Sequence, residues 1–476
     1  MSYARNNLLA AGPSLFVAIF FICQYLGQSV EFSAAAGTAI WMLTWWVSEA
    51  VAFGVTAFVP LITFPLFNVL SIKRATQAYS NPVVFLFLGG FILAIALEKH
   101  RLHERIALKI IAATGSTANG IILGFSLATA LMSMWISNTA AAMMMMPVAA
   151  SVVALTKRDP NFATALMLSV AYSASIGGMA TLIGSPPNMI AAGLYQERYQ
   201  TELTFLEWTK FGLPTAIVLL AVCYIFLTRV LYPSEKSEVG GAGKLLDREI
   251  SELGPRTSAQ RRILYVFGLV ALLWVLRPLL HSLIIGILPN TWAKLTLFDD
   301  TTIALIGGLL MFTLTSGPGD RSPILTWEDA RCLPWGILLL FGSGLCLADG
   351  LETVGVVKLI GQVLSGQGNL SLWALLLLFT AIAIFLTELL SNVALATVMV
   401  PIMFGIADTR GLDPLLLAIA ITLGASCGFA LPISTPPNAI LYSSGHIKMK
   451  QIVTAGTILN LLAAGVICAV VYAVGH

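Results

Sequence analysis

Two short polar motifs recur in register inside strongly apolar surroundings. Ser133-Met-Trp-Ile-Ser137-Asn138-Thr139, followed by Pro147, aligns without gaps on Thr387-Glu-Leu-Leu-Ser391-Asn392-Val393, followed by Pro401. Gly178-Met-Ala-Thr-Leu-Ile-Gly184-Ser185-Pro186-Pro187-Asn188 aligns in the same way on Gly428-Phe-Ala-Leu-Pro-Ile-Ser434-Thr435-Pro436-Pro437-Asn438. The hydroxyl and amide oxygens of Ser133, Ser137, Asn138, Thr387, Ser391 and Asn392 are hard donors of the kind that suits Na⁺ or a similar cation. Two consecutive prolines remove two amide donors and clash with the preceding turn, so each Pro-Pro-Asn predicts a broken helix. Carbonyls freed at such a break can meet a cation, and the restarted helix N-terminus can face an anion.

The charge inventory narrows this chemistry. No Lys or Arg occurs in 110–156, 159–197, 359–409 or 411–447, which hold all four motifs, and the one acidic residue inside a motif is Glu388. An anion bound there would rest on hydroxyls, Asn amides and helix N-termini, and desolvating a dianion on those alone is costly. A co-bound cation offsets that cost, which predicts coupling with the cation arriving first. A single Ser-Asn in a membrane helix is more often an interhelical hydrogen-bonding element, and a single Pro a tolerated kink. Duplication in register argues against both bland readings. Glu388 could orient the motif or carry a proton, and Glu49, in Trp-Trp-Val-Ser-Glu, could simply lie at an interface. Met143 to Met146 read as adaptable packing.

The elements that must position these residues are membrane helices. Of 476 residues, 58% are hydrophobic and 10% charged, with a mean hydropathy of +0.88, against about 45–50% apolar and about 25% charged in a soluble domain. This excludes a soluble enzyme. Among membrane enzymes, a His cluster, an Asp-Asp pair or a Ser-Lys dyad at membrane depth is missing, so an enzyme is not expected. A formal net charge of +3, scattered over short loops, excludes a nucleic-acid surface. Six cysteines without a CxxC pair and five dispersed histidines suggest neither a disulfide framework nor a metal cluster. The first apolar run, from Leu8, reads as a membrane helix rather than a removable signal.

Spans are expected at 10–29, 34–52, 54–71, 82–98 and 211–231, then at 263–287, 301–316, 333–349 and 452–474. The fold class is therefore an all-α polytopic membrane protein of about eleven transmembrane helices. The apolar tracts 118–155 and 370–407 are long enough to enter and return as re-entrant hairpins with the Ser-Asn motifs at their tips. The segments 161–196 and 412–446 are the broken helices. Residues 1–232 form the first repeat, 233–262 a charged aqueous linker and 263–476 the second repeat. An odd number of crossings between equivalent points makes the repeats inverted, as in many secondary transporters. Lys and Arg gather in loops 99–109, 156–160, 229–262, 319–332 and 448–450, which places those loops and the N-terminus in the cytoplasm and the C-terminus outside.

At these residues the chain resembles the divalent anion/sodium symporter family, which carries dicarboxylates, citrate or sulfate and has paired Ser-Asn-Thr and Pro-Pro-Asn signatures. Ser-Glu-Ala-Val at 48–51 resembles the family's second-helix signature. The resemblance implies a dimerising scaffold domain and a transport domain that moves as an elevator. It implies one Na⁺ site at Ser133, Ser137, Asn138 and Gly184, and a second at Thr387, the Leu390 carbonyl, Asn392 and Ser434. It places the substrate carboxylates against Asn138, Thr139, Ser185 and Pro186 from one repeat, and Asn392, Thr435 and Pro436 from the other. Val393 departs from the duplicated pattern, because the second motif lacks the Thr hydroxyl there. The expected protein is an inner-membrane or plasma-membrane homodimer moving a C4-dicarboxylate such as succinate, malate or fumarate with Na⁺, with no organic cofactor and with lipid as its surroundings. A Na⁺-independent dicarboxylate or citrate exchanger and a sodium-coupled sulfate transporter are the alternatives.

Overall fold

The computed structural model describes residues 2–155, 159–234, 238–287, 299–317, 320–359 and 370–475, with the backbone alone for 2–6 and 280–287. Lys157 and Arg158 of one basic loop lie outside the described residues. The chain is nearly all helical. Its first part comprises α1 (Ser2–Tyr25), α2 (Val30–Ser48), α3 (Phe53–Thr56), α4 (Val59–Leu66), α5 (Ile72–Gln77), α6 (Pro82–Lys99) and α7 (Leu102–Ala113). Then come α8 (Ala118–Ser133), α9 (Asn138–Leu155), α10 (Pro160–Met179), α11 (Pro186–Tyr199), α12 (Phe205–Ile225) and α13 (Ala242–Glu252). After the linker follow α14 (Ser258–Ile287), α15 (Asp300–Thr313) and α16 (Trp335–Thr353). The last part is α17 (Leu372–Thr387), α18 (Asn392–Arg410), α19 (Pro414–Ala425), α20 (Pro436–Ser443) and α21 (Met449–Gly475). Among the described residues, β1 (Thr315–Gly317) pairs antiparallel with β2 (Asp320–Pro323), and Thr117 and Glu238 form an isolated bridge.

Among the described residues nine helices are long and apolar enough to cross a membrane, and five shorter apolar helices lie between them. Polar caps set their starts. Ser29, Asn81, Thr117, Asp159, Asp299, Ser371 and Asp413 each accept a first-turn N–H, and Thr204 makes a reciprocal capping box with Glu207. Pro82, Pro160, Pro186, Pro414 and Pro436 occupy first-turn positions, where a missing N–H leaves no bond unmade.

Three expectations need correction. The expected span 54–71 is interrupted at Ala57 and Phe58, and Pro60 and Pro65 keep α3 and α4 short. The charged segment 99–109 is not a loop, because from Leu102 it forms α7, whose apolar side is buried while Arg101 pairs with Glu104 at its start. The linker 233–262 is not structureless either: α13 is amphipathic, packs on α7, and ends where Arg105 Nη2 donates to the carbonyls of Leu253 and Gly254, each at 2.8 Å.

The helices pack as two sets. In one, α1 lies along α2, α6 along α15, α14 against α15, and α16 across α3 and α4. In the other, α8 and α9 pack on α10, α12 on α21, α11 on α18 and α19, and α17 on α19 and α21. Contacts between the sets are sparser, chiefly α11 and α18 against α16 and α12 against α14. Glycines permit the closest approaches. A Cβ on Gly177 would collide with the Ala130 backbone across α8 and α10, and one on Gly89 with the Ala304 backbone across α6 and α15. Gly177→Ala should therefore destabilise the protein by about 1–3 kcal/mol, as overpacking does, while Gly465→Ala, inside α21 with open space around it, should hold or raise the melting temperature in detergent, since helix-interior Gly is about 0.5–1 kcal/mol worse than Ala.

Candidate functional site

The Ser-Asn tracts each fold as two helices broken at the motif. α8 ends at Ser133 and α9 begins at Asn138; α17 ends at Thr387 and α18 begins at Asn392. Pro147 and Pro401 lie inside α9 and α18. The two breaks have the same internal geometry. Ser133 Oγ lies 2.6 Å from both Asn138 Oδ1 and the Ala174 carbonyl, which sits on α10. Thr387 Oγ1 lies 2.8 Å from Asn392 Oδ1 and 2.7 Å from the Ala425 carbonyl, at the end of α19. Each cluster thus brings three oxygens together around one hydroxyl proton, which can serve a single acceptor at a time. Excess lone pairs converging in this way suit a cation.

The Pro-Pro-Asn segments are broken helices, also in matching form. α10 stops at Met179 and α11 starts at Pro186; α19 stops at Ala425 and α20 starts at Pro436. Ser185 and Thr435 precede the restarts in nearly identical extended conformations, φ −143° and −141°. The asparagines fold back over the gap. Asn188 Nδ2 donates to the carbonyls of Gly178 and Thr181 at 2.9 and 2.8 Å, and Asn438 Nδ2 to those of Gly428 and Leu431 at 2.9 and 3.1 Å. Asn188 Oδ1, Asn438 Oδ1 and Thr435 Oγ1 are buried without a hydrogen-bond partner among the described residues. α9 and α10 both pack on α20, so the two repeats' breaks are brought side by side.

Each proposed residue has a definite place. Asn138 sits against Gly178, where any Cβ would strike its side chain, and Ser137 caps α9 by accepting the Ala140 N–H at 3.1 Å. Gly184 is buried, and a Cβ on it would come within 2.7 Å of the Gly178 carbonyl. Ser434 Oγ lies 3.0 Å from the Gly428 carbonyl and 2.6 Å from that of Leu431. Thr139, Pro186, Leu390 and Val393 are partly buried, Ser185 and Thr435 are buried, and Pro436 is exposed.

Glu388 is the largest departure from symmetry, because the aligned residue of the first repeat is Met134. Its buried carboxylate accepts the backbone N–H groups of Ala430 and Leu431, each at 2.7 Å, and Asn460 Nδ2 at 2.6 Å. Asn460 Oδ1 in turn faces the Phe429 N–H at 3.4 Å. Of the two roles open to Glu388, this geometry is the orienting one. It also explains why α10 runs one residue past Gly178 whereas α19 stops three short of Gly428: the freed N–H groups have other acceptors. In the first repeat Thr181 Oγ1 instead donates to the Met134 carbonyl at 2.6 Å. Asn460 was not singled out from sequence, although it is the lone Asn of the last apolar helix. Glu49 is exposed, in a left-handed conformation (φ 48°) at the end of α2.

A family profile described as the sodium:sulfate symporter transmembrane region matches residues 7–475. The sodium-dependent dicarboxylate transporter SdcS of Staphylococcus saprophyticus is 36% identical over 475 residues, covering 98% of this chain and 90% of that protein. The protein of the same name from Staphylococcus aureus strain RF122 is 36% identical over 477 residues with the same coverage. Among solved structures, the YdaH transporter of Alcanivorax borkumensis matches with a TM-score of 0.59 at 16% identity, over 85% of this chain and 87% of that one. MtrF of Neisseria gonorrhoeae matches with a TM-score of 0.60 at 13% identity, over 86% and 83%. These two show likeness of fold alone.

Removing the carboxylate of Glu388 leaves three buried N–H donors unpaired. Glu388→Ala should lower stability by about 3 kcal/mol or more and abolish the cooperative melt at a temperature where Glu49→Ala still melts as the unaltered protein does; equal melting of the two would refute the orienting role.

Proposed function

The chain belongs to the sodium:sulfate symporter family, the divalent anion/sodium symporters, and on that premise we propose that it couples Na⁺ entry to uptake of a C4-dicarboxylate such as succinate, malate or fumarate. It is an integral membrane transporter and not an enzyme. The observation that carries the coupling is the pair of three-oxygen clusters, each holding one hydroxyl proton among Ser133, Asn138 and Ala174 or among Thr387, Asn392 and Ala425. A Na⁺ ion entering either cluster, with Gly184 or Ser434 and the Leu390 carbonyl nearby, satisfies oxygens that hydrogen bonding leaves in excess.

The dianion then binds beside the two cations, against Asn138, Thr139 and Ser185 on one side and Asn392, Thr435 and Pro436 on the other. It also faces the N-termini of α9, α11, α18 and α20, where partial positive charge gathers. Pro186 and Val393 line the same space. The name carried by the SdcS relatives favours a dicarboxylate over an inorganic dianion. Retained hydroxyls at 133 and 387 favour symport over Na⁺-independent exchange.

The motif-bearing set, α8–α12 with α17–α21, is the body that moves, and α1–α6 with α14–α16 is the scaffold, in a homodimer of the plasma membrane. The arrangement supports this division because contacts within each set are denser than those between them. The linker and N-terminus face the cytoplasm in this reading, and the two halves are inverted repeats with the α8/α9 and α17/α18 pairs as re-entrant hairpins.

Proteoliposomes test it directly. Radiolabelled succinate uptake should require an inward Na⁺ gradient and no internal substrate; uptake that ignores Na⁺ and needs preloaded dicarboxylate would make the protein an exchanger. Ser133→Ala or Thr387→Ala should raise the Na⁺ concentration for half-maximal uptake by about tenfold, the equivalent of about 1.4 kcal/mol. Asn138→Ala and Asn392→Ala should abolish uptake in protein that still folds. Val393→Thr should change the preference among dicarboxylates more than the Na⁺ dependence, which competition assays would show.

A further inference from the structure

Away from the motifs, charge collects at helix ends on one face. α12 ends and α14 begins at the linker, so Glu202, just before α12, and Arg277, toward the far end of α14, lie on the opposite face. Arg198 ends α11 on that face too, because α10 begins beside the linker, where Asn161 Nδ2 donates to the Pro233 carbonyl at 3.1 Å. Two guanidiniums there share one pattern. Arg277 Nη1 is 3.1 Å from Asp300 Oδ1, on α15 of its own helix set, and the same group grips Glu202 of the other set at 2.9 and 2.7 Å. Arg198 Nη2 is 2.5 Å from Asp408 Oδ2, on α18 of its own set, and its Nη1 is 2.6 Å from Glu352 Oε1, on α16 of the other. Each arginine therefore has one carboxylate that stays with it and one across the boundary.

The boundary is loosely filled around the second of these pairs. A cavity of about 340 Å³, lined by Leu194 and Glu197 from one set and Ala348 and Asp349 from the other, borders Arg198 and Glu352. A second, of about 330 Å³, borders them toward Val357 and Asp408. Glu352, Asp408 and Glu202 are partly exposed, with side chains 49%, 40% and 32% exposed, whereas Asp300 is 1% exposed.

We propose that Arg198 and Arg277 form an exchangeable latch that locks the two helix sets together at the face opposite the linker and opens when the motif-bearing set moves. The proposal rests on the moving-set reading given above. A guanidinium stays charged throughout, and stranding it without a partner in a partly desolvated place is far costlier than breaking a part-exposed pair. Asp408 and Asp300 remove that obstacle, since Arg198 keeps one on its own set and Arg277 keeps the other. Tyr199 Oη donates to Asp408 Oδ1 at 2.9 Å and helps hold the retained pair. The Phe205 N–H bond to Asp300 Oδ2 at 2.6 Å and the Phe205–Trp274 stack at 4.8 Å cross the same boundary and part together with Glu202.

Site-directed labelling tests the latch without reference to the substrate site. In protein whose six cysteines are replaced, a single cysteine at Leu194, in the boundary cavity, is exposed to a membrane-impermeant maleimide from the face opposite the linker. Glu352→Gln and Glu202→Gln should each speed labelling by about two- to fivefold, the effect of one part-exposed ion pair, and Arg198→Gln added to Glu352→Gln should add nothing further. Unchanged labelling in both Gln variants would overturn the latch. Labelling of the otherwise unaltered protein that does not respond to Na⁺ and succinate would overturn the moving set, and the latch with it, so the two failures are distinguishable.

Discussion

The structure depends on the need of interrupted backbone for partners in surroundings that hold no water. A helix broken at membrane depth exposes carbonyls and N–H groups that only protein or a polar cavity can satisfy. Asn188 and Asn438 each tie two carbonyls across their own break, and Ser133 and Thr387 reach across to the carbonyls of Ala174 and Ala425. Glu388 meets the N–H groups of Ala430 and Leu431. Every one of these bonds joins the break to itself or joins a hairpin to a half-helix. The polar segments are consequently braced in two pairs, one per repeat, held against each other by α9 and α10 packing on α20, and a motion that separated a hairpin tip from its neighbouring half-helix would leave several buried groups unpaired at once. Under the proposed function, alternating access must then occur around these pairs rather than within them.

That constraint also explains where charge is allowed. The motif segments hold no Lys or Arg, while Arg74 and Arg198 stand near helix ends and Arg277 in the last half of α14, each against at least one carboxylate. A fixed cation within the cluster would bind a dianion without any co-ion and so uncouple the two. Neutral oxygens and helix N-termini leave the site dependent on cations that arrive and depart with the cargo. Charges at the rim can change partners as helix sets slide, because a part-exposed pair is worth little on its own.

Much of this was legible from residue order. Duplicated Ser-Asn pairs and Pro-Pro-Asn segments located the breaks, because proline and helix-capping chemistry act locally. The helical character of 102–113 was hidden by its charges: Glu104, Arg105 and Lys109 read as a loop, yet α7 buries Leu102, Leu108 and Ile111 and lets Arg105 cap the linker helix. α13 was hidden for the same reason. The inequality of α10 and α19 could not be read at all. It requires Asn460, 72 residues from Glu388, to complete the acceptor set that allows α19 to unwind early, and no local pattern carries a contact of that range.

The inequality bears on how two matching motifs could do unequal work. In the first repeat, α10 continues through Gly178, so the Ala174 carbonyl that Ser133 touches lies within the helix, and Asn188 holds the Gly178 carbonyl at its end. In the second, the backbone from Ser426 to Phe429 is not helical: the Ser426 and Cys427 N–H groups turn back to the carbonyls of Leu423 and Gly424, the Phe429 N–H faces Asn460, and those of Ala430 and Leu431 go to Glu388. Glu388, next to Thr387 in sequence, sets a buried carboxylate at this repeat's break, whereas the first repeat has Met134 at the aligned position. Under the proposed function, a cation in the second cluster gains an electrostatic attraction that one in the first does not. Under the proposed coupling, duplication supplies two cation positions and Glu388 makes the second the tighter, so that the first is the one whose filling waits on the other and on the dianion.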